Sequence, residues 1–82
     1  MKIKYFSWIK EITKIEIEQI NDKSINDINS LKILISTKYP KLKKYLKKNN
    51  VIRIAVNLEH VSKNKRIFSD DEIAFFPPVS GG

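Results

Sequence analysis

The residues at the carboxyl end of the chain have the types and the spacing that could do chemistry. Residues 77–82 read PPVSGG, so a proline pair precedes Val79, Ser80 and the final pair Gly81 and Gly82. Two prolines in a row hold φ near about −65° and keep the preceding residue extended, which makes a stiff stem. Glycine has no Cβ, so a Gly-Gly end fits a passage too narrow for side chains. The pattern predicts that the terminal carboxylate of Gly82 is the reactive group.

The stem and the glycines together give this predicted tail a useful reach. Its extended residues span at most about 20 Å, at roughly 3.3–3.6 Å each. Gly82 could therefore reach the buried site of a partner while the body of the chain stays outside, with residues 79–81 threading the passage. The alternative is a frayed terminus without a function, which is the ordinary fate of chain ends.

Composition excludes several other kinds of site. The chain has 82 residues, no cysteine and a single histidine, His60. A domain of this length buries one modest core, and without cysteine it has no disulfide, thiolate metal site or cysteine nucleophile. His60 alone does not make a metal site. We expect no bound metal or cofactor, no signal peptide, no membrane span and a cytoplasmic location.

The basic charge leaves a second class of function open. The formal net charge is +7, and residues 38–48 contain a cluster of lysines with two tyrosines between them. Such a cluster is typical of a surface that binds nucleic acid. It lacks arginine, which dominates base recognition, and it lies in a helical pattern whose lysines would form a solvated face. Nucleic acid is not the expected partner, and a basic nucleic-acid-binding module is the alternative from a different class.

The first third of the chain predicts two strands and then a main helix. Residues 2–6 and 14–18 alternate with period two, and residues 7–12 between them favour a short helical turn. In the first strand Phe6 falls on the face away from the core. In the second, the isoleucines are predicted to point inward and the glutamates outward. Ser24 is the predicted N-cap of a helix with apolar residues at helical spacing.

Proline and β-rich stretches organise the rest. The helix must end near Tyr39, because Pro40 disfavours helix in the residue before it and suits the start of a second, shorter helix. Strands are predicted over residues 51–57, 66–68 and 72–76, with a turn-rich link over residues 58–64.

This order of elements predicts an α+β fold of the ubiquitin-like β-grasp type, with a mixed sheet packed on one main helix. Residues 1–76 would form the β-grasp domain and residues 77–82 an extended tail. In the last strand Phe75 would face the core and Phe76 the opposite side, together with Phe6. Two aromatic side chains on the solvent side of a sheet, beside the exit of the tail, indicate a contact patch.

The last stretch also resembles a known signature. Residues 72–82, EIAFFPPVSGG, are similar to the carboxyl end of the small subunit of molybdopterin synthase. The resemblance extends to Ala55-Val56-Asn57 with Val61 following, and to Lys10-Glu11 after the first strand. It covers essentially the whole chain in length and in order of elements. This family consists of ubiquitin-like β-grasp sulfur carriers.

The resemblance implies a carrier that acts as a cosubstrate subunit and not as a complete enzyme. An E1-like adenylating enzyme would use ATP to activate the carboxylate of Gly82, and a sulfur donor protein would convert it to a thiocarboxylate. The tail would then insert into the large synthase subunit, in a two-plus-two heterotetramer. There the sulfur would pass to cyclic pyranopterin monophosphate, as a step of molybdenum cofactor biosynthesis.

The resemblance also implies a docking surface on the sheet. The residues expected to contact the partner are Phe6, His60, Phe76, Pro77 and Pro78. His60 stands where the family more often has an apolar residue, Lys10 where arginine is usual, and Asp70 where a turn glycine is common. A sulfur carrier for thiamin synthesis or tRNA thiolation is the alternative of the same class, and the Phe-Phe-Pro-Pro stem favours the molybdopterin branch.

Overall fold

A five-stranded mixed sheet with helices packed on one face makes up the described part of the chain. The computed structural model describes residues 1–47 and 51–78. The elements in chain order are β1 (Lys2–Tyr5), α1 (Ser7–Thr13), β2 (Ile17–Gln19), α2 (Ile28–Lys38), a 3-10 helix (Pro40–Leu42), α3 (Lys43–Lys47), β3 (Arg53–Val56), β4 (Glu59–Val61) and β5 (Glu72–Phe76).

The strand order is β2-β1-β5-β3-β4. β1 and β5 are parallel, and the other neighbouring pairs are antiparallel. The first and last strands of the chain therefore lie side by side in the middle of the sheet, and α2 provides the main helix that covers it. This arrangement confirms the predicted α+β, β-grasp fold. β5 ends at Phe76, and the division into a domain of residues 1–76 and a tail of residues 77–82 stays a prediction.

The core lies between one face of the sheet and one stripe of α2. Strand side chains alternate between faces, and helix side chains share a face at spacings of three and four residues. Burial of each large apolar side chain contributes about 1.5–3 kcal/mol. The predicted inward positions of β1, α2 and β5 are confirmed. The largest side chains with less than 2% exposure are Tyr5, Phe75, Ile3, Ile9, Leu31, Ile35, Leu42 and Ile73.

The start of α2 differs from the prediction. Asp27, not Ser24, is the N-cap: its carboxylate accepts from the Ser30 amide (2.8 Å), and the Ser30 hydroxyl accepts from the Asp27 amide (3.2 Å). Ser24 instead donates to Asp22 within a turn (2.7 Å). The choice between the caps is tertiary, because the amide of Asn64, far along the chain, donates to the other oxygen of Asp27 (3.2 Å). The predicted end of α2 is confirmed, with Tyr39 as C-cap.

The orientation predicted for the second strand is wrong. Ile17 is 49% exposed, whereas Glu18 is 8% exposed and faces the core. The carboxylate of Glu18 accepts hydrogen bonds from the hydroxyls of Tyr5 (2.7 Å) and Tyr39 (2.9 Å). It also forms an ion pair with Lys38. A buried charge is tolerated when it is paired and hydrogen-bonded, and this network supplies both conditions.

Two features in the second half were also predicted differently. The turn-rich link contains a strand, β4, joined to β3 by the pair Asn57 and Leu58 with φ of 50° and 72°. Positive φ at both positions is the geometry of a type I′ hairpin, which asparagine tolerates well. The strand predicted over residues 66–68 is a single bridge from Arg66 to Asp27, with Ile67 buried beside it.

Candidate functional site

The root of the predicted tail is held in the middle of the sheet. β5 pairs with β1 on one side and with β3 on the other, up to the pair Phe76 and Arg53. The ring of Phe75 is 1% exposed and stacks on Tyr5, with ring centroids 5.9 Å apart. The amide of Phe6 also donates to the carbonyl of Phe75 (3.1 Å). The chain is therefore fixed on both sides until it reaches the proline pair.

Pro77 and Pro78 follow β5 directly and are half-buried. The predictions for the reactive carboxylate of Gly82 and for the threading residues Val79, Ser80 and Gly81 lie outside the described residues. What the structure contributes is the anchor: a central strand that leads straight into the stem. A group carried on such a stem is positioned by the sheet and not by a loose loop.

The outer face of the sheet, opposite the helices, has one row that crosses all five strands. The register pairs Ile17 with Lys4, Lys4 with Ala74, Ala74 with Ala55, and Ala55 with His60. The centre of the row carries only the short alanine side chains, while larger groups stand at both ends. The side chains of the row are therefore short over β5 and β3 and longer at its two ends.

Two aromatic side chains lie at the tail end of this outer face. Phe76 is the half-buried last residue of β5, on the side opposite Phe75. Phe6 directly follows the pair Tyr5 and Phe75, keeps extended backbone angles (φ −119°, ψ 152°), and is 44% exposed. The structure thus brings Phe6 and Phe76 to the same end of neighbouring strands, beside the stem. Their contact with a partner stays a prediction.

His60 lies apart from these aromatics. It is exposed on the edge strand β4, opposite Ala55. Two strand spacings of about 4.8 Å place the backbone of β4 roughly 10 Å from that of β5. His60 therefore belongs to the outer face but not to the cluster at the stem, and its predicted role at the interface stays untested.

The outer face carries an ion pair at the start of β5 and a positive charge at the end of β5, beside the stem. Lys4 and Glu72 form an ion pair across β1 and β5, with nitrogen and oxygen 3.3 Å apart. Arg53 stands next to Phe76 and has no ion-pair partner among residues 1–47 and 51–78. The guanidinium group is a planar donor suited to carboxylates, so it gives the face a positive point close to the tail.

Sequence reasoning missed Ile17 as a member of the outer face. Ile17 is exposed because β2 turns its odd-numbered positions outward, whereas the sequence prediction turned them inward. The signal that could have located it is the pairing of β2 with β1, because a residue opposite Lys4 must share the outward face of Lys4. Such pairing is not visible in the alternation of an isolated strand.

Two kinds of site are absent from the part of the chain that the structure describes. No group of three or more histidine, cysteine, aspartate or glutamate side chains is arranged to hold a metal ion. No helix there is long and apolar enough to cross a membrane.

Comparison with known proteins points to one family. The model of the ThiS family matches residues 3–82. A curated protein from Dictyostelium discoideum, described as a molybdopterin synthase sulfur carrier subunit, is 36% identical over 88 residues, which is 99% of this chain and 94% of that protein.

Solved structures agree with this match. A putative molybdopterin converting factor subunit 1 from Pyrococcus furiosus superposes with a TM-score of 0.81 at 26% identity, covering 95% of each chain. A chain in the complex of subunits 1 and 2 of molybdopterin-converting factor from Helicobacter pylori gives a TM-score of 0.69 at 28% identity, over 99% of this chain and 96% of that one. These matches confirm the predicted family resemblance. Because they run from end to end, the chain belongs to the ThiS family.

Proposed function

We propose that this chain is the sulfur carrier subunit of a molybdopterin synthase, and that the carboxyl group of Gly82 carries the sulfur as a thiocarboxylate. The observation that carries the proposal is the end-to-end match to a sulfur carrier subunit, combined with a Gly-Gly end on a stem rooted in the central strand β5. An anchored stem with a narrow tip suits delivery of a small group into a partner's site.

The chemistry begins with an unreactive group. A carboxylate is a poor electrophile, so an adenylating enzyme must first join it to AMP with release of pyrophosphate from ATP. The outer sulfur of a persulfide on the donor protein then attacks the carbonyl carbon, and AMP leaves. A thiol next attacks the donor's sulfur in the resulting acyl disulfide, which forms a disulfide with the donor and releases the thiocarboxylate. The thiocarboxylate sulfur is the nucleophile toward cyclic pyranopterin monophosphate. The carrier brings the sulfur, and the large subunit orients the two reactants.

The large subunit is the proposed occupant of the outer face of the sheet. The Helicobacter pylori complex, which contains subunits 1 and 2 of its converting factor, supports such a partner. Phe6 and Phe76 beside the stem provide apolar contact, and the row with short side chains at Ala55 and Ala74 crosses the same face. With two copies of each subunit, the assembly would be the expected two-plus-two heterotetramer.

Carriers for thiamin synthesis or tRNA thiolation are the alternatives within the same chemistry. The curated relative is a molybdopterin synthase subunit, which favours the molybdopterin branch. The molecule that accepts the sulfur distinguishes these functions, because only a molybdopterin carrier passes its sulfur to the pterin in the presence of the large subunit.

The decisive experiment is intact-mass spectrometry of the full chain after incubation with an E1-like adenylating enzyme, ATP and a sulfur donor. The expected result is replacement of one oxygen of Gly82 by sulfur, followed by loss of that sulfur when the large subunit and cyclic pyranopterin monophosphate are added. An unchanged mass, with an enzyme and donor that load another carrier in the same tube, would rule out the proposal.

A further inference from the structure

The helical side of the molecule contains a cleft that the proposed sulfur transfer does not use. It lies between α2 and the segment formed by the 3-10 helix and α3, and its volume is about 640 Å³. The lining residues on which the argument depends are Lys32, Ile33, Pro40, Lys43, Leu46 and Lys47. Because the helices cover the inner face of the sheet, this cleft opens away from the outer face.

An apolar wall and floor give the cleft part of its character. Ile33 is 69% exposed, although it lies on the main helix. It is two positions from both Leu31 and Ile35, so at about 100° per residue it points away from the stripe that α2 buries. Leu46 of α3 is buried and lines the same cleft. A single exposed isoleucine is ordinary, but this one borders a concave site with an apolar floor.

The charges of the cleft all have one sign. Lys32, Lys43 and Lys47 line it, and Lys41 and Lys44 line the adjoining depression, which shares Pro40 with it. Among the described residues, neither lining contains an aspartate or glutamate. The ion pairs among residues 1–47 and 51–78 lie elsewhere, between β1 and β5 and between α2 and β2. The attraction for an anionic partner is therefore not compensated within the described part of the chain.

The aromatic ring of Tyr45, which lines the adjoining depression, is already packed against other side chains and is not free to stack on a base. Tyr45 packs edge-on against Trp8 with centroids 5.0 Å apart, and the ammonium group of Lys44 lies 5.0 Å from its ring centre. Proteins that bind single-stranded nucleic acid combine positive charge with aromatic faces on which bases stack. Positive charge around an apolar floor instead complements a protein segment that carries carboxylates beside an apolar side chain.

We propose that the cleft between α2 and α3 binds an acidic protein segment. Its carboxylates meet Lys32, Lys43 and Lys47, and an apolar side chain contacts Ile33 and Leu46. The site is on the opposite side of the sheet from the proposed large-subunit surface. The segment can therefore bind while the tail is engaged, and the inference holds or fails independently of the sulfur chemistry.

The test is selection from a displayed library of random peptides, each about four helical turns long, on the full-length chain. Binders to the variant Ile33→Glu/Lys43→Glu are removed. The surviving peptides are expected to be rich in aspartate and glutamate around an apolar residue. A synthetic survivor should shift the backbone amide signals of Ile33, Lys43 and Leu46. Survivors without acidic excess, an absence of cleft-dependent survivors, or shifts on the outer face would each overturn the proposal.

Matched charge reversals separate the cleft from the general basic charge. Lys43→Glu/Lys47→Glu should weaken binding of the selected peptide about tenfold, because two exposed charge pairs become repulsive. Lys63→Glu/Lys65→Glu makes the same change in net charge in an exposed loop outside the cleft and should leave the affinity within about twofold. Equal weakening by both variants would show nonspecific attraction and overturn the proposal.

A second arm tests nucleic acid directly, with a pool of random single-stranded RNA as the probe. The cleft is a nucleic-acid site, and the proposal is wrong, if three results coincide. The RNA shifts the same amide signals, it binds more tightly than the peptide, and its affinity falls steeply as the salt concentration rises. All cleft variants are also assayed for sulfur transfer with the large subunit, which should be unchanged. Failure of the native chain in that assay would count against the proposed function and leave the peptide result standing.

Discussion

At the scale of single residues, Glu18 shows how local chemistry decides which face of a strand is buried. Its carboxylate accepts hydrogen bonds from two tyrosine hydroxyls and forms an ion pair with a lysine ammonium group at the edge of the core. Burial, with a smaller contribution from Tyr39, raises the pKa of Tyr5 well above its ordinary value, and burial also raises the pKa of Tyr39. Both hydroxyls therefore remain protonated donors. The network joins β1, β2 and the end of α2 at one point.

Replacing Glu18 by alanine should lower the free energy of unfolding by about 2–3 kcal/mol, because the fully buried hydroxyl of Tyr5 loses its acceptor. Lys38 can return to water, so the loss should not reach that of a fully buried ion pair. Urea denaturation measures the change. The matched control is the exposed Glu16→Ala, expected within about 0.5 kcal/mol of the native chain. Similar midpoints for the two variants would contradict the role given to Glu18.

Asp27 should make folding stability depend on acid pH. Hydrogen bonds from the amide and hydroxyl of Ser30, together with the amide of Asn64, lower the pKa of Asp27 below its ordinary value. The folded state therefore favours the carboxylate. Its contribution is fully present above the pKa of the unfolded chain and is lost as the pH falls through the lower folded-state pKa.

The measurement is the urea midpoint at about pH 5 and about pH 3, on either side of the ordinary aspartate value. The native chain should lose stability between them. Asp27→Asn keeps a capping oxygen but has no charge to titrate, so its loss over the same interval should be smaller. An Asn variant with the full acid dependence of the native chain would show that the cap is not its source.

At the scale of elements, β5 connects the core to the proposed function. Its alternation buries Phe75 and turns Phe76 outward, and its pairing with β1 brings Phe6 alongside. One strand therefore both stabilises the fold and presents the stem. The 3-10 helix and α3 form one wall of the lysine-lined cleft, and α2 forms the other.

Phe6→Ser should weaken binding to the large subunit about tenfold or more, as loss of an apolar contact near the centre of an interface does. It should leave adenylation and sulfur loading of Gly82 unchanged. Phe68→Ser is the matched control. Phe68 is also an exposed aromatic residue, with 56% of its surface accessible against 44% for Phe6, but it lies in the loop before β5. Isothermal titration of both variants decides the point, and equal losses would refute a specific role for Phe6.

At the scale of the whole molecule, the proposed function assigns binding to the folded body and sulfur transfer to the carboxyl end. The central position of β5 ties the stem to the whole sheet, and the two candidate surfaces lie on opposite sides of it. The lysines in the helical part of the predicted cluster have different surroundings. Lys38 joins the internal Glu18 network, while Lys41, Lys43, Lys44 and Lys47 remain exposed around the clefts.

Deletion of Gly82 should abolish sulfur transfer while leaving the urea midpoint and the affinity for the large subunit nearly unchanged, because Gly82 comes six residues after the end of β5 in the sequence. Addition of one residue after Gly82 should be equally damaging, since the reactive carbonyl would be displaced by one residue length of about 3.5 Å. Mass spectrometry and an assay of molybdopterin formation measure both variants. Molybdopterin production by the deletion variant would refute the role of the terminus.

Much of the fold could be predicted because its determinants are local. The alternation of β1 and β5, the apolar stripe of α2 and the stop at Pro40 are all statements about neighbouring residues, and the structure confirms them. The chemistry proposed for Gly82 rests on the resemblance of the chain end to the sulfur carrier family, and it stays a prediction. The match to the ThiS family confirms the resemblance that those residues carried.

By itself, the sequence determined the first strand, the main helix and the last strand, with the buried faces of β1 and β5. The character that it predicts for the tail stays a prediction. The tertiary structure alone decided the inward side of β2, the cap at Asp27 and the pairing of β4, because each depends on partners far along the chain. Alternation permits two orientations of a strand, and the pairing of β2 with β1, together with the partners Tyr5, Tyr39 and Lys38, selects the one that buries Glu18. The surfaces for partners also depend on this packing, because strand pairing and helix contacts place their residues side by side.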